Sequence, residues 1–210
     1  MYRPLDTFLQ YSDELQVLIA EKTKQIFGRD SILGYWDVTN YYFEIPYEDE
    51  DEIDGDKIKK GFRKGGPSKE HRNDPIVQMG LLMDSKGIPI AFNIFSGGES
   101  EKTNMLPTIK KVKKDHNIQR IIIIADKGLN TSANTAYLSG KNNEDSNDND
   151  GYVYGQSIIL SDKDFKEWIL KKDDYKKDIE ITKDGETVTF IHKSRIATKN
   201  VTLKDSSGKK

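Results

Sequence analysis

Four consecutive isoleucines, Ile121 to Ile124, followed by Ala125, Asp126, Lys127 and Gly128, constrain this chain more than any other stretch. β-Branched side chains that project to both sides of a strand call for apolar cover on both faces. The run therefore predicts an interior strand of a parallel or mixed sheet with helices packed over it. Asp126 stands at the end of that strand and Gly128 where the chain turns, the place where sheet-based sites form. The plainer reading is that Asp126 caps the helix that follows, through Thr131 or Ser132. From this stretch alone the two readings balance.

A second strand, far upstream, carries its own carboxylate. Ile32 to Phe43 is rich in aromatic and β-branched residues. Alternation puts Asp37 on one face with Tyr35, Thr39 and Tyr41. An acid flanked by Trp36 and Val38 in mid-strand is costly to bury without a partner. An edge-strand acid facing water is the plainer account, but the apolar neighbours argue against an edge.

At 210 residues the chain can form one domain with a real core and a small appended unit. Charged residues make up 32%, yet the net charge is only -2, so overall charge argues neither for nor against a nucleic-acid partner. The absence of cysteine excludes disulfides and thiolate metal sites. His71, His116 and His192 are scattered, without metal-ligand spacing. With no membrane-length apolar run and no signal peptide, a soluble, cytoplasmic protein without a membrane partner is expected.

Taken in order, residues 6–28 read as a helix that Ser12 can cap, and 1–30 as an N-terminal helical segment. Residues 44–74 show no periodic pattern. An acidic run, Glu48 to Glu52, is followed by a basic, glycine-bearing block that includes Arg63, Lys64, Lys69, His71 and Arg72. Those five could grip DNA phosphates on an exposed loop; a solvated, charge-balanced loop explains the composition equally well. Residues 75–95 predict an antiparallel hairpin turning at Asp84 to Gly87. A helix over 104–116 follows, with Pro107 in its first turn, Met105, Leu106, Ile109 and Val112 inward, and Lys110, Lys111, Lys113 and Lys114 on a solvated face. After the isoleucine strand come a helix over 132–139, a polar loop over 141–150 and a strand over 152–160. A helix over 162–170 buries Phe165, Trp168 and Ile169. Two strands over 179–191 then turn at Asp184-Gly185, and 201–203 predicts one more.

The order of elements is strand, long loop, strand, strand, helix, strand, helix, strand, helix. It predicts an α/β, ribonuclease H-like mixed sheet flanked by helices (31–170), followed by an incomplete β-rich insertion (171–210). In that order the first and fourth strands lie side by side, bringing Asp37 and Asp126 together. Two nearby carboxylates repel, so one takes a proton or both hold a cation. Oxygen ligands without His or Cys specify Mg²⁺ or Mn²⁺. Two such ions, about 3.5–4 Å apart, would activate a nucleophile and stabilise the leaving oxygen of a phosphodiester.

Tyr35-Trp36-Asp37-Val38-Thr39, Pro67 to Arg72, Asp74-Pro75-Ile76-Val77, Gly87-Ile88-Pro89-Ile90 and Ile124-Ala125-Asp126-Lys127-Gly128 together resemble bacterial insertion-sequence transposases. The likeness is to the branch whose DDE catalytic core is interrupted by a β-rich insertion. It implies metal-dependent cleavage and strand transfer of DNA ends, with Asp37 and Asp126 as metal-binding catalytic residues and a Glu on a late helix as the third. It also implies double-stranded DNA as partner, both terminal repeats and target, and a possible homodimer. Where the family usually carries Arg after the second Asp, Lys127 stands, keeping the charge for DNA but losing a bidentate phosphate contact.

Other classes fit less well. A doubly wound phosphohydrolase wants a second Asp two residues after its nucleophile, where Thr39 stands, and no phosphate-binding loop of the nucleoside-triphosphatase type is present. A DNA-binding remnant of a transposase that has lost its chemistry is the alternative. Candidates for the third acid within the chain are Asp162, Asp164 and Glu167. The resemblance instead puts the β segment before the catalytic Glu, so the expectation is a fragment whose third carboxylate lies beyond Lys210 and which is inactive alone.

Overall fold

The computed structural model describes residues 3–29, 32–55, 57–66, 73–140, 150–183 and 185–196. The chain divides into two compact units, Met1–Gly155 and Gln156–Lys210.

Two helices, α1 (Arg3–Gln10) and α2 (Ser12–Phe27), open the first unit where the sequence predicts a single one. The break falls at Tyr11, and Ser12 is the first helical residue of α2, which has no side-chain cap. Gly28 closes α2 in the left-handed conformation (φ 59°), donating its N–H to the Lys24 carbonyl.

The central sheet is built from β1 (Leu33–Tyr42), β4 (Ile76–Met83), β5 (Pro89–Ser96), β6 (Ile122–Ala125) and β7 (Gly151–Tyr154), in the order β5-β4-β1-β6-β7. Between β1 and β4, a short hairpin of β2 (Glu52–Asp54) and β3 (Lys57–Lys59) stands in the stretch without sequence periodicity. β1, β4 and β5 form an antiparallel meander, while β6 and β7 run parallel to β1. The fold is thus an α/β mixed sheet of ribonuclease H-like order, flanked by helices. α3 (Glu101–Asp115) leads into β6, and α4 (Ser132–Leu138) lies between β6 and β7. Because α3 starts earlier than expected, Pro107 falls inside it rather than in its first turn, removing one intrahelical N–H. β7 ends at Tyr154, well short of the predicted Leu160.

The core lies on one side of the sheet. Trp36, Val38, Leu82, Ile121 and Ile123 pack there against Met105, Ile109 and Val112 of α3 and Tyr137 and Leu138 of α4. Ile122 and Ile124, on the opposite side, are only half-buried. The expected burial of both faces therefore holds for one: the helical residues that bury fully all press on the Ile121–Ile123 side. The opposite face leaves Tyr35, Tyr41, Phe92, Ile94 and Val153 between 39% and 56% exposed.

Two buried ionic clusters fix the frame. Asp84, at the β4–β5 turn, accepts the Arg29 Nε–H at 2.6 Å and the backbone N–H groups of Lys86 and Ile88, both at 2.9 Å. Arg29 also donates to the carbonyls of Ile88 and Pro89 and to Thr23, tying the end of α2 to the hairpin. Burial pushes the Asp84 carboxyl up, but the Ile88 amide, the Arg29 guanidinium and the Lys86 amide outweigh it and hold it below the usual carboxylate range. Asp150 accepts the Ile121 N–H at 2.9 Å and pairs with Lys113, joining the start of β6 to α3. Lys113 is thus not on a solvated face, and Lys110 stands over the Tyr137 ring at 4.9 Å.

The second unit holds α5 (Lys163–Leu170) and an antiparallel hairpin of β8 (Lys176–Lys183) and β9 (Glu186–His192), turning at Gly185 (φ 84°). Phe165, Trp168 and Ile169 are half-buried rather than buried. The strand predicted over 201–203 lies outside the described residues. No described helix is long and apolar enough to cross a membrane.

Candidate active site

β1 and β6 are parallel neighbours, with Tyr35 beside Ile124 and Trp36 beside Ala125. The residue that follows each of the latter two is an aspartate: Asp37 within β1 and Asp126 immediately past the end of β6. Adjacent strands lie about 4.8 Å apart, so the two carboxylates leave the backbone from neighbouring positions at the centre of the sheet. Both side chains are exposed. β1 is an interior strand, as its apolar neighbours indicate, yet Asp37 is solvated: Trp36 and Val38 point into the core and Asp37 points to the open face.

Asp126 does cap an element, though a different one from that expected. Its Oδ1 accepts the Lys127 N–H at 2.6 Å, at the start of a single 3₁₀ turn, Lys127–Leu129. The cap of α4 is Thr131, whose Oγ1 accepts the Asn134 N–H at 3.2 Å. Lys127, the first residue of this turn, is exposed. The end of β7 passes so close that a Cβ on Gly155 would sit 3.2 Å from the Lys127 nitrogen.

Two exposed carboxylates on adjacent strands form a hard, oxygen-only donor pair. That pair fits a divalent ion such as Mg²⁺ or Mn²⁺, which keeps several waters and takes one or two protein carboxylates. Among the described residues, no group of three or more potential ligands assembles. The rival third acids each have a partner within the second unit. Asp162 caps α5 by accepting the Phe165 N–H at 2.7 Å, Asp164 pairs with Arg195 at 3.1 Å and Glu167 with Lys163 at 3.6 Å.

Of the basic block, Lys69, His71 and Arg72 lie outside the described residues. Arg63 and Lys64 are held by the acidic run upstream. Asp49 accepts the Arg63 N–H at 2.9 Å and its Nε–H at 2.6 Å. Lys64 Nζ pairs with Asp51 at 2.8 Å and with Glu48 at 3.9 Å. Hydrogen bonding to Arg63 keeps the Asp49 carboxyl below its ordinary range, and bonding to Lys64 does the same for Asp51. Neither run predicts this pairing by itself; their opposite charge across a short hairpin was the available signal. Lys64 also exchanges two backbone hydrogen bonds with Ile76, which lies beside Tyr42. Lys64 therefore sits five residues beyond Asp37 along β1, about 17 Å at strand rise.

A cleft of about 530 Å³, lined in part by Lys24, Arg29, His116 and Arg120, opens near the start of β1 and β6. It lies at the opposite end of those strands from Asp126 and has no part in the carboxylate pair.

No family model and no curated protein matches this chain. Among solved structures, it is similar to a Mos1 mariner paired-end complex with Mn, at a TM-score of 0.36 and 12% identity over 67% of this chain and 40% of that one. A Mos1 transposase paired-end complex with left transposon end gives 0.31 and 12%, over 58% and 37%. The chain thus spans about two-fifths of the chains it resembles, and likenesses this distant carry no function across.

Proposed function

We infer that this chain supplies two of the three carboxylates of a DNA transposase of the insertion-sequence type. The observation that supports the reading is the parallel register of β1 and β6, whose last pair, Trp36 and Ala125, immediately precedes the exposed Asp37 and Asp126. Asp37 and Asp126 hold the divalent ions, Mg²⁺ or Mn²⁺. Ions held there would supply a nucleophilic water or hydroxyl of lowered pKa and an offset for charge on the leaving oxygen. The residues themselves fix the spacing of that charge, Asp126 being oriented by the Lys127 amide. Lys127 provides a cation at the scissile phosphate. Arg63 and Lys64, with Lys69, His71 and Arg72, contact the backbone of double-stranded DNA as it leaves the site along β1. A Glu on a late helix would complete the set, and two copies would act together.

The test is Mg²⁺-dependent cleavage of end-bearing duplex DNA by a protein that carries the third carboxylate. Asp37→Asn and Asp126→Asn should each abolish cleavage and leave duplex binding intact. Unchanged cleavage in either variant overturns the assignment, and binding without any cleavage in the parent favours a non-catalytic DNA-binding remnant.

A further inference from the structure

The contacts of Arg63 and Lys64 belong to a larger arrangement. Three alternate backbone N–H groups of the basic segment, those of Gly61, Arg63 and Gly65, all donate to carboxylates of the acidic run. Asp51 accepts from Gly61 at 3.1 Å, Asp49 from Arg63 at 2.9 Å and Glu48 from Gly65 at 2.7 Å. With the Arg63 and Lys64 side chains added, this is a strip of five donors aimed at a row of three anions. The three amides meet three different carboxylates, so the strip presents a row of anion positions. Two chain segments pack closely enough that a Cβ on Gly61 would lie 2.6 Å from the Asp49 Cβ.

The two sides of this contact are anchored unequally. The basic side is fixed to the sheet: Lys64 and Ile76 exchange backbone bonds at 3.1 and 2.9 Å, Gly97 donates to Phe62 O at 3.0 Å, and Ser96 Oγ to Gly61 O at 2.7 Å. Away from the β2–β3 ladder, where Glu52 pairs with Lys59, the acidic side meets the basic one through carboxylates and the backbone bond from Asp49 N–H to Arg63 O, at 2.9 Å. Exposed ion pairs of this kind contribute little to stability, so displacing the acidic segment costs little and leaves the strip in place.

We propose that the Gly61–Gly65 strip is a nucleic-acid backbone site, and that Glu48, Asp49 and Asp51 occupy it as internal stand-ins for phosphate until DNA displaces them. This rests on the DNA-binding reading above and adds its regulation. A carboxylate and a phosphate draw on the same donors, namely backbone N–H groups, a guanidinium and an ammonium. Binding then requires exchange of one row of anions for another, so weak or short polyanions are excluded while a continuous phosphodiester backbone competes successfully.

The experiment measures duplex DNA binding by fluorescence anisotropy across a salt series. The variant Glu48→Gln/Asp49→Asn/Asp51→Asn is compared with a charge-matched control, Glu14→Gln/Glu21→Gln/Glu50→Gln. Release of two cations should tighten binding about tenfold beyond the control at low salt and steepen the salt slope by nearly two. Adding Arg63→Ala and Lys64→Ala should cancel the gain. Asp51→Asn alone, which removes the nearer of the two carboxylates paired with Lys64, gives a smaller gain in the same direction and serves if the triple variant does not fold. Equal affinity of the triple variant and its control overturns the occlusion while leaving DNA binding through Arg63 and Lys64 standing. Absence of duplex binding in every form overturns both.

Discussion

Trp36 packs against Gly80 on the neighbouring strand, so closely that a Cβ on Gly80 would sit 2.4 Å from the indole Cζ2 and Cη2 atoms. The indole is 2% exposed and anchors the core side of the strand that carries Asp37. Gly80→Ala should therefore destabilise the fold by about 1–3 kcal/mol, through displacement of a ring that has nowhere to go. Gly128→Ala, which meets nothing within 4 Å, should change stability by no more than about 0.5 kcal/mol. Urea denaturation of both variants checks the contrast; equal effects would refute it.

The Arg29–Asp84 pair, with side chains 3% and 0% exposed, should behave as a buried pair does when broken. Asp84→Ala leaves a guanidinium without its anion and should cost about 3–5 kcal/mol, whereas Arg29→Met with Asp84→Leu should cost less than either single change. Asp84 has its folded pKa below the ordinary 3.8, so its contribution is complete above that pH and is lost as pH falls through the folded value. A denaturation series at decreasing pH should show this loss in the parent and not in the double variant.

His116 provides a second pH dependence in a different window. Burial holds its imidazole below the ordinary 6.5, with Asp115 and Glu21 opposing and Lys111 and Arg29 reinforcing. The unfolded chain then binds a proton that the folded chain refuses. Stability should be complete above about pH 6.5 and decline as pH falls toward the folded value. His116→Gln should flatten the profile between pH 7 and 5; an unaltered profile would exclude His116 as its source.

A divalent ion at Asp37 and Asp126 should raise the melting temperature of the parent. At a hundred times its dissociation constant, Mn²⁺ should add about 2.7 kcal/mol of stability. Asp126→Asn should lose that increment and, by removing one of two neighbouring negative charges, melt no lower than the parent without metal. A metal-induced shift retained in both Asp37→Asn and Asp126→Asn would place the ion elsewhere.

The strand order, and with it the adjacency of β1 and β6, was legible because periodicity and element order depend on local patterns that survive in a single sequence. What stayed hidden was set by partners distant in the chain. Nothing near Asp84 announces Arg29, and nothing in the lysine-rich face of α3 announces that Lys113 meets Asp150. The solvation of Asp37 was missed for a related reason: apolar neighbours on a strand establish that one face is covered, and say nothing of the other. Pro107 was misplaced because the first turn of α3 is polar, Glu101 to Asn104, so its start carries no hydrophobic periodicity.

The parallel pairing of β1 with β6 also sets the order in which the molecule can acquire a site. β1, β4 and β5 follow one another in space as they do in sequence, so that meander closes through comparatively near contacts. β6 reaches β1 only across the whole hairpin and α3, a loop whose closure entropy makes it a slow step. Before that step the chain can hold a formed hairpin and a single, isolated aspartate. The carboxylate pair is therefore a timer: convergence of its two charges reports that the most distant junction of the sheet has already been made.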